Sequence, residues 1–191
     1  MNLGTSQQSS QGEAAPRRRL WPPLLVAVAV VFLLHFGLGF QFHGPWYEPD
    51  GSNYALRGYH LARGDGLSWR SHWRAPGKEG YPALLAGAWL LAGEDTDLFL
   101  RLALIQNALL HALLLLVGYA VLRRWFPPWP SLAGAAAMAL YAPVFLYGFA
   151  LMSENLFFPA FLCAVWAVQH AVDCGRIRWW ALAGLAVAVS F

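Results

Sequence analysis

Apolar residues come in long blocks along this chain, separated by shorter polar stretches. Residues 1–19 are polar, rich in Ser, Gln and Gly, and close on Arg17, Arg18 and Arg19; they read as a disordered tail. An apolar run over about 20–42 is long enough to cross a bilayer. It exceeds a signal-peptide core and no small-x-small cleavage site follows, so it is expected to stay as a first span. Residues 43–97 change character and predict a long outer loop. Within it, 51–63 has helical spacing: Tyr54, Gly58 and Leu61 share one face, with Tyr59 and Ala62 beside it. Asp50 or Ser52 would cap this interfacial helix and Gly64 would stop it. Residues 81–92 are apolar but too short to span. Gly93, Glu94, Asp95 and Asp97 end them.

Further spans are expected at about 98–122, 131–149, 155–173 and 179–191, with Pro143 kinking or ending the one that contains it. The last run stops inside an apolar segment, so the chain is expected to continue past residue 191. The pattern predicts an all-α fold, a polytopic transmembrane helical bundle over 20–191 with a long outer loop carrying interfacial helices.

Charge orients the bundle. If 81–92 does not cross, Arg17–Arg19, Arg123–Arg124 and Arg176–Arg178 all fall on the cytoplasmic side; if it crosses, the last two move outside, against the positive-inside rule. The N-terminus is therefore expected in the cytoplasm, with 81–92 on or dipping into the outer interface. Composition agrees with a lipid-facing surface. Of 191 residues, 58% are hydrophobic and 12% charged, against about 25% charged in a soluble domain. Ten tryptophans suit the headgroup level. The net charge of +3 sits at span ends as a topology signal and does not point to nucleic acid. Cys163 and Cys174 lie about 16 Å apart along a helix, beyond disulfide reach, and read as small buried residues.

Polar groups gather at the expected outer face: Glu48, Asp50, Tyr54, His60, Asp65, Arg70, His72, Arg74, Lys78, Arg101, Ser153 and Glu154. Chemistry is therefore expected outside. A transporter would place polar groups mid-span or in broken helices; a non-catalytic scaffold would need no large acidic and basic loop. His60 and His72 lack metal-ligand spacing, and His35 and His111, inside spans, read as helix-packing residues.

Several short motifs run in a characteristic order. Glu48-Pro49-Asp50-Gly51-Ser52-Asn53-Tyr54 is followed by Ala62-Arg63-Gly64-Asp65-Gly66, then Ala75-Pro76-Gly77 and Gly80-Tyr81-Pro82. Arg101 and Gln106 open the next span, and Leu151-Met152-Ser153-Glu154-Asn155-Leu156-Phe157 precedes the fourth. Through nearly the whole chain this order resembles the GT-C glycosyltransferases, including protein O-mannosyltransferases and the bacterial transferases that put aminoarabinose on lipid A. Gly51 stands where the family often has Glu, and Lys78-Glu79 interrupts its Pro-Pro-Gly-Tyr-Pro element. The resemblance implies a bacterial inner (plasma) membrane enzyme. Its donor would be a lipid-linked sugar and its acceptor a hydroxyl on protein, lipid or glycan, with membrane lipids around it.

Such a reaction needs a base for the acceptor proton, and Asp50 is the candidate, with a plain helix cap as the alternative and Glu48 as the rival carboxylate. The departing lipid phosphate needs cations: Arg70, Arg74, Lys78 and Arg101 are candidates, of which Arg101 lies in the first turn of a span. Glu154 would bind a divalent metal with Asp50, orient the acceptor, or simply favour a helix N-terminus. Tyr54, with Tyr59, Trp69 and Trp73, would stack on sugar or isoprenoid or belong to an interfacial belt.

Overall fold

The structure, a computed structural model, describes residues 21–41, 49–66 and 79–190. They form eight helices: α1 (Trp21–Gln41), α2 (Pro49–Ala62), α3 (Gly80–Ala92), α4 (Thr96–Leu122), α5 (Pro128–Ala139), α6 (Ala142–Tyr147), α7 (Glu154–Cys174) and α8 (Ile177–Ser190). No strand occurs among the described residues. Helices α1, α4 and α7 are long and apolar enough to cross a membrane. The fold is an all-α membrane bundle.

Local chemistry sets the helix ends. Asp95 caps α4, its Oδ1 accepting the Leu98 N–H at 3.0 Å. Pro128 opens α5, where the missing N–H is no loss. Gly64 stops α2 at φ +84° and Gly175 stops α7 at φ +62°, left-handed conformations that favour glycine. Helix α2 begins two residues earlier than its sequence pattern suggests. Pro49 opens it, so Asp50 lies in the first turn and is not the cap.

Helix directions follow from neighbouring side chains. The ring of His35 of α1 lies tilted against that of His111 of α4, with centroids 4.0 Å apart. Gly39 adjoins Leu104, while Leu24 clusters with Leu115 and Leu122. The two helices are antiparallel. Gly118 of α4 adjoins Leu162 of α7, and Arg124 forms an ion pair with Asp173, so α4 and α7 run parallel. Arg123, Arg124, Arg176 and Arg178 therefore gather near one end of the bundle, where α1 begins. Helices α2 and α3 pack at the opposite, polar end. There Gly58 meets Leu85, Pro82 and Ala86 so closely that a Cβ would lie 3.0–3.2 Å from them. Trp89 of α3 stacks on Phe99 of α4 at 3.9 Å and donates its indole N–H to the Ala55 carbonyl of α2 at 2.9 Å. Helix α3 rises only about 20 Å, short of a hydrocarbon core of about 30 Å.

Where the apolar pattern over 131–149 reads as one span, the structure has two helices. Leu140 ends α5 and Tyr141 is extended before α6. Pro143 explains the break: it has no N–H to give, and its ring would clash with the carbonyl four residues back. The broken segment still traverses the bundle antiparallel to α4, Ala135 lying beside Gly118, Val144 beside His111 and Ala150 beside Asn107.

Because α6 is only 6 residues long, carbonyls of its last turn and of the turn after it lack i+4 partners, and in an apolar interior each needs a donor. Four buried side chains supply them. His111 Nε2 faces the Val144 carbonyl at 2.9 Å and His35 Nε2 faces that of Phe145 at 3.3 Å. Asn107 Nδ2 donates to Gly148 and Ala150 at 3.2 and 3.0 Å, and Asn155 Nδ2 donates to Ala150 at 2.9 Å. His35 and His111 thus pack, as their position in apolar runs suggests, and also serve the broken backbone. Gly148 is a tight fit: a Cβ there would lie 2.4 Å from His35 Cδ2. Cys163 is half-buried, but Cys174 is exposed. Lying at the end of α7, it does not take the buried place its apolar neighbours suggest.

Candidate active site

The polar end is assembled from segments far apart in sequence. Tyr54 of α2 is buried, its ring edge-on to Tyr81 of α3 with centroids 5.8 Å apart. Its hydroxyl donates to Ser153 Oγ at 3.3 Å, and Ser153 Oγ donates to Glu154 Oε2 at 3.2 Å. This chain binds the start of α2 to the start of α7. Asp50 lies one turn before Tyr54, on the same side of α2, and its carboxylate is exposed. Glu154 opens α7 and is half-buried. The helix-bearing segments of the two carboxylates thus meet through Tyr54 and Ser153.

Tyr54 has little open ring face, so here it serves as a tie between helices. Behind it, Tyr81 donates its hydroxyl to Asn107 Oδ1 at 2.9 Å. Burial pushes the Tyr81 phenol well above the ordinary tyrosine range, so it stays a donor.

The cations divide. Arg101 is exposed on α4, in its second turn, since α4 begins at Thr96; ideal geometry sets it roughly 120° around the helix from Asn107. Arg70, Arg74 and Lys78 lie outside the described residues, as do Glu48, His72, Trp69 and Trp73. Arg57, which the sequence shows only as one of several loop cations, is buried and forms an ion pair with Glu79, the residue that precedes α3. That pairing gives the Lys78-Glu79 interruption a structural purpose, because Glu79 fastens α3 to α2.

His60 faces Asp65 at 2.8 Å, and Arg63 lies over the Tyr59 ring and 3.6 Å from Glu94. A recess of about 210 Å³ opens there, lined by Tyr59, Ala62, Arg63, Trp89, Leu90, Gly93 and Glu94. A larger apolar groove of about 500 Å³ lies among α4, α5, α6 and α7. Leu114, Met138, Tyr141, Val144, Phe158 and Phe161 are among the residues lining it. Phe158 is one helical turn past Glu154, so the groove begins just below the polar end.

Among the described residues no three of His, Cys, Asp and Glu come together as metal ligands. Asp50 and Glu154 therefore lack a third protein ligand within that set. Asn107, Tyr81 and Asn155 were not evident as site residues from the sequence. Tyr81 and Asn155 lie within motifs that the sequence shows without giving them a role, while Asn107 is a polar side chain inside an apolar run with no local motif to mark it.

A family model described as dolichyl-phosphate-mannose-protein mannosyltransferase matches residues 81–191, which takes in α3, but for Gly80, through α8. No curated protein and no solved structure matches the chain.

Proposed function

We propose, for a chain that belongs to the dolichyl-phosphate-mannose-protein mannosyltransferase family, that it moves a sugar from a polyprenyl-phosphate donor to a hydroxyl acceptor at the outer membrane face. The membership makes it a membrane glycosyltransferase of the GT-C type. The observation that carries the finer reading is the Tyr54–Ser153–Glu154 chain. It ties the helix bearing Asp50 to the carboxylate that opens α7, at the end of the bundle away from Arg123, Arg124, Arg176 and Arg178.

In this reading Asp50 takes the acceptor's proton as its oxygen attacks the anomeric carbon. The bond to phosphate breaks on the opposite face, and polyprenyl phosphate leaves with inverted configuration at the sugar. Glu154 orients the acceptor hydroxyl. Arg70, Arg74, Lys78 and Arg101 hold the departing phosphate, whose negative charge grows as the bond breaks. A divalent ion shared by Asp50 and Glu154 belongs to the same proposal only if a further ligand comes from outside the described residues, and no step above depends on it. The apolar groove below Phe158 supports the reading, since it offers room for a hydrocarbon chain whose head reaches Glu154. A broken crossing is a feature transporters share. Here its orphaned carbonyls are taken by His35, His111, Asn107 and Asn155, and the family favours the enzyme.

The test is transfer of labelled mannose from polyprenyl phosphomannose by the full-length protein in liposomes. Label should move to a hydroxyl acceptor in step with release of polyprenyl phosphate. Failure to consume any polyprenyl-phosphate sugar would contradict the reading. Within that assay, alanine in place of Arg101 should raise the KM for donor without loss of protein. Unchanged donor dependence for single alanine variants at 70, 74, 78 and 101 would remove the phosphate-binding role.

A further inference from the structure

Asn107 sits near the middle of α4 with no exposure to solvent. An uncharged amide offers two N–H donors and a carbonyl with two acceptor sites. Both donors are used on one short piece of chain, the carbonyls of Gly148 and Ala150 at 3.2 and 3.0 Å. The amide oxygen accepts the Tyr81 hydroxyl at 2.9 Å. One side chain of α4 therefore holds α3 and the turn that ends the broken crossing.

That turn leads directly into Ser153 and Glu154. Asn155 also holds it, its Nδ2 donating to the same Ala150 carbonyl at 2.9 Å. The ring of Tyr81 meets Tyr54, and the Tyr54 hydroxyl returns to Ser153. A closed circuit results, hydrogen-bonded except for the Tyr54–Tyr81 ring contact, running from α4 to α3, to α2, to the start of α7 and back through the turn. The backbone bonds of this turn run only within it and back to α6, from the N–H groups of Gly148, Phe149 and Ala150 to the carbonyls of Phe145, Leu146 and Tyr147, and none of them ties it to α4. Here the height of Glu154 is fixed from outside, by the amide of Asn107.

We infer that Asn107 is a positioning residue for the acceptor-orienting carboxylate, acting through the turn at 148–152 to set Glu154 against Asp50. This rests on the reading of Glu154 given above. Tyr81 takes part by orienting the amide, which gives a chemical task to the Gly80-Tyr81-Pro82 motif. Misplacing a group by about 1 Å costs up to about a hundredfold in rate, so loss of both Nδ2 bonds should show in kcat.

The experiment is a double-mutant cycle in the full-length protein in liposomes, with polyprenyl phosphomannose as donor. Asn107→Ala in the wild-type background should lower kcat by about tenfold to a hundredfold, with the KM for donor unchanged. The same substitution in a Glu154→Gln background should cost nothing more, because residues acting through one another are not additive. An equal loss in both backgrounds would overturn the inference and leave Glu154 in place. So would wild-type kcat in Asn107→Ala. If Glu154→Gln alone keeps wild-type kcat, the reading of Glu154 falls and this inference with it. Should Asn107→Ala fail to fold, Tyr81→Phe removes one oxygen from the same circuit and is run through the same cycle. It should give a smaller kcat loss that also vanishes beside Glu154→Gln; a loss that persists there counts against the inference.

Discussion

Asp50→Asn in the full-length protein is expected to lower turnover about a hundredfold or more, the usual scale for a lost general base. The substitution is nearly isosteric. Asp50 is exposed in the first turn of α2 and does not cap it, so the amide should fit without disturbing the fold. What it removes is the ability to accept the acceptor's proton. Donor binding depends on the cations and the apolar groove, so the KM for donor should hold while kcat falls. Melting behaviour should match the wild type. Near-normal kcat with a normal melting curve would mean that Asp50 merely favours the helix N-terminus, and Glu48 would become the carboxylate to test.

Replacing His111 with Leu should destabilise the folded protein by about 1–3 kcal/mol, the cost of leaving a buried acceptor without its donor. The Val144 carbonyl, in the last turn of the short helix α6, takes its hydrogen bond from His111 Nε2 at 2.9 Å. Polar contacts between membrane helices average only about 0.6 kcal/mol, because the separated helices find other partners. A carbonyl orphaned at a helix end inside the bundle has fewer such alternatives, which places the expectation above that average. His35→Leu should cost less. The carbonyl it serves, that of Phe145, also accepts the Gly148 N–H at 3.2 Å. Gln at 111 keeps a donor and should recover part of the loss. Denaturant unfolding in micelles, followed by tryptophan fluorescence, reads all three variants. Equal stability of His111→Leu and wild type, or a larger loss from His35→Leu, would contradict this account of the break.

Much of the fold was legible because a membrane helix announces itself by length and polarity alone. The apolar runs within α1, α4 and α7 need no partner to be recognised, and Gly64 and Gly93 mark the ends of α2 and α3 directly. The break at Tyr141 was less visible. The run over 131–149 is apolar on both sides of it, and Pro143 alone does not say whether a helix bends or stops. Its partners were less visible still. His35 and Phe145 are 110 residues apart, and Tyr54 and Ser153 are 99, so no local pattern joins them. Asp50 and Glu154 stood out as carboxylates beside apolar runs. Asn107 did not, because one amide inside an apolar run has no motif, and its importance lies in three bonds that only the folded chain reveals.

The claim on which the rest depends is that the end of the bundle bearing Asp50 and Glu154 lies outside, with the arginine-rich end inside. Single cysteines at Asp95 and at Arg123, in a background with Cys163→Ala and Cys174→Ser, can be labelled by a membrane-impermeant maleimide in intact and in opened cells. The account predicts that residue 95 labels in intact cells and residue 123 only after opening. Labelling of residue 95 only after opening, or of both from the same side, would contradict it.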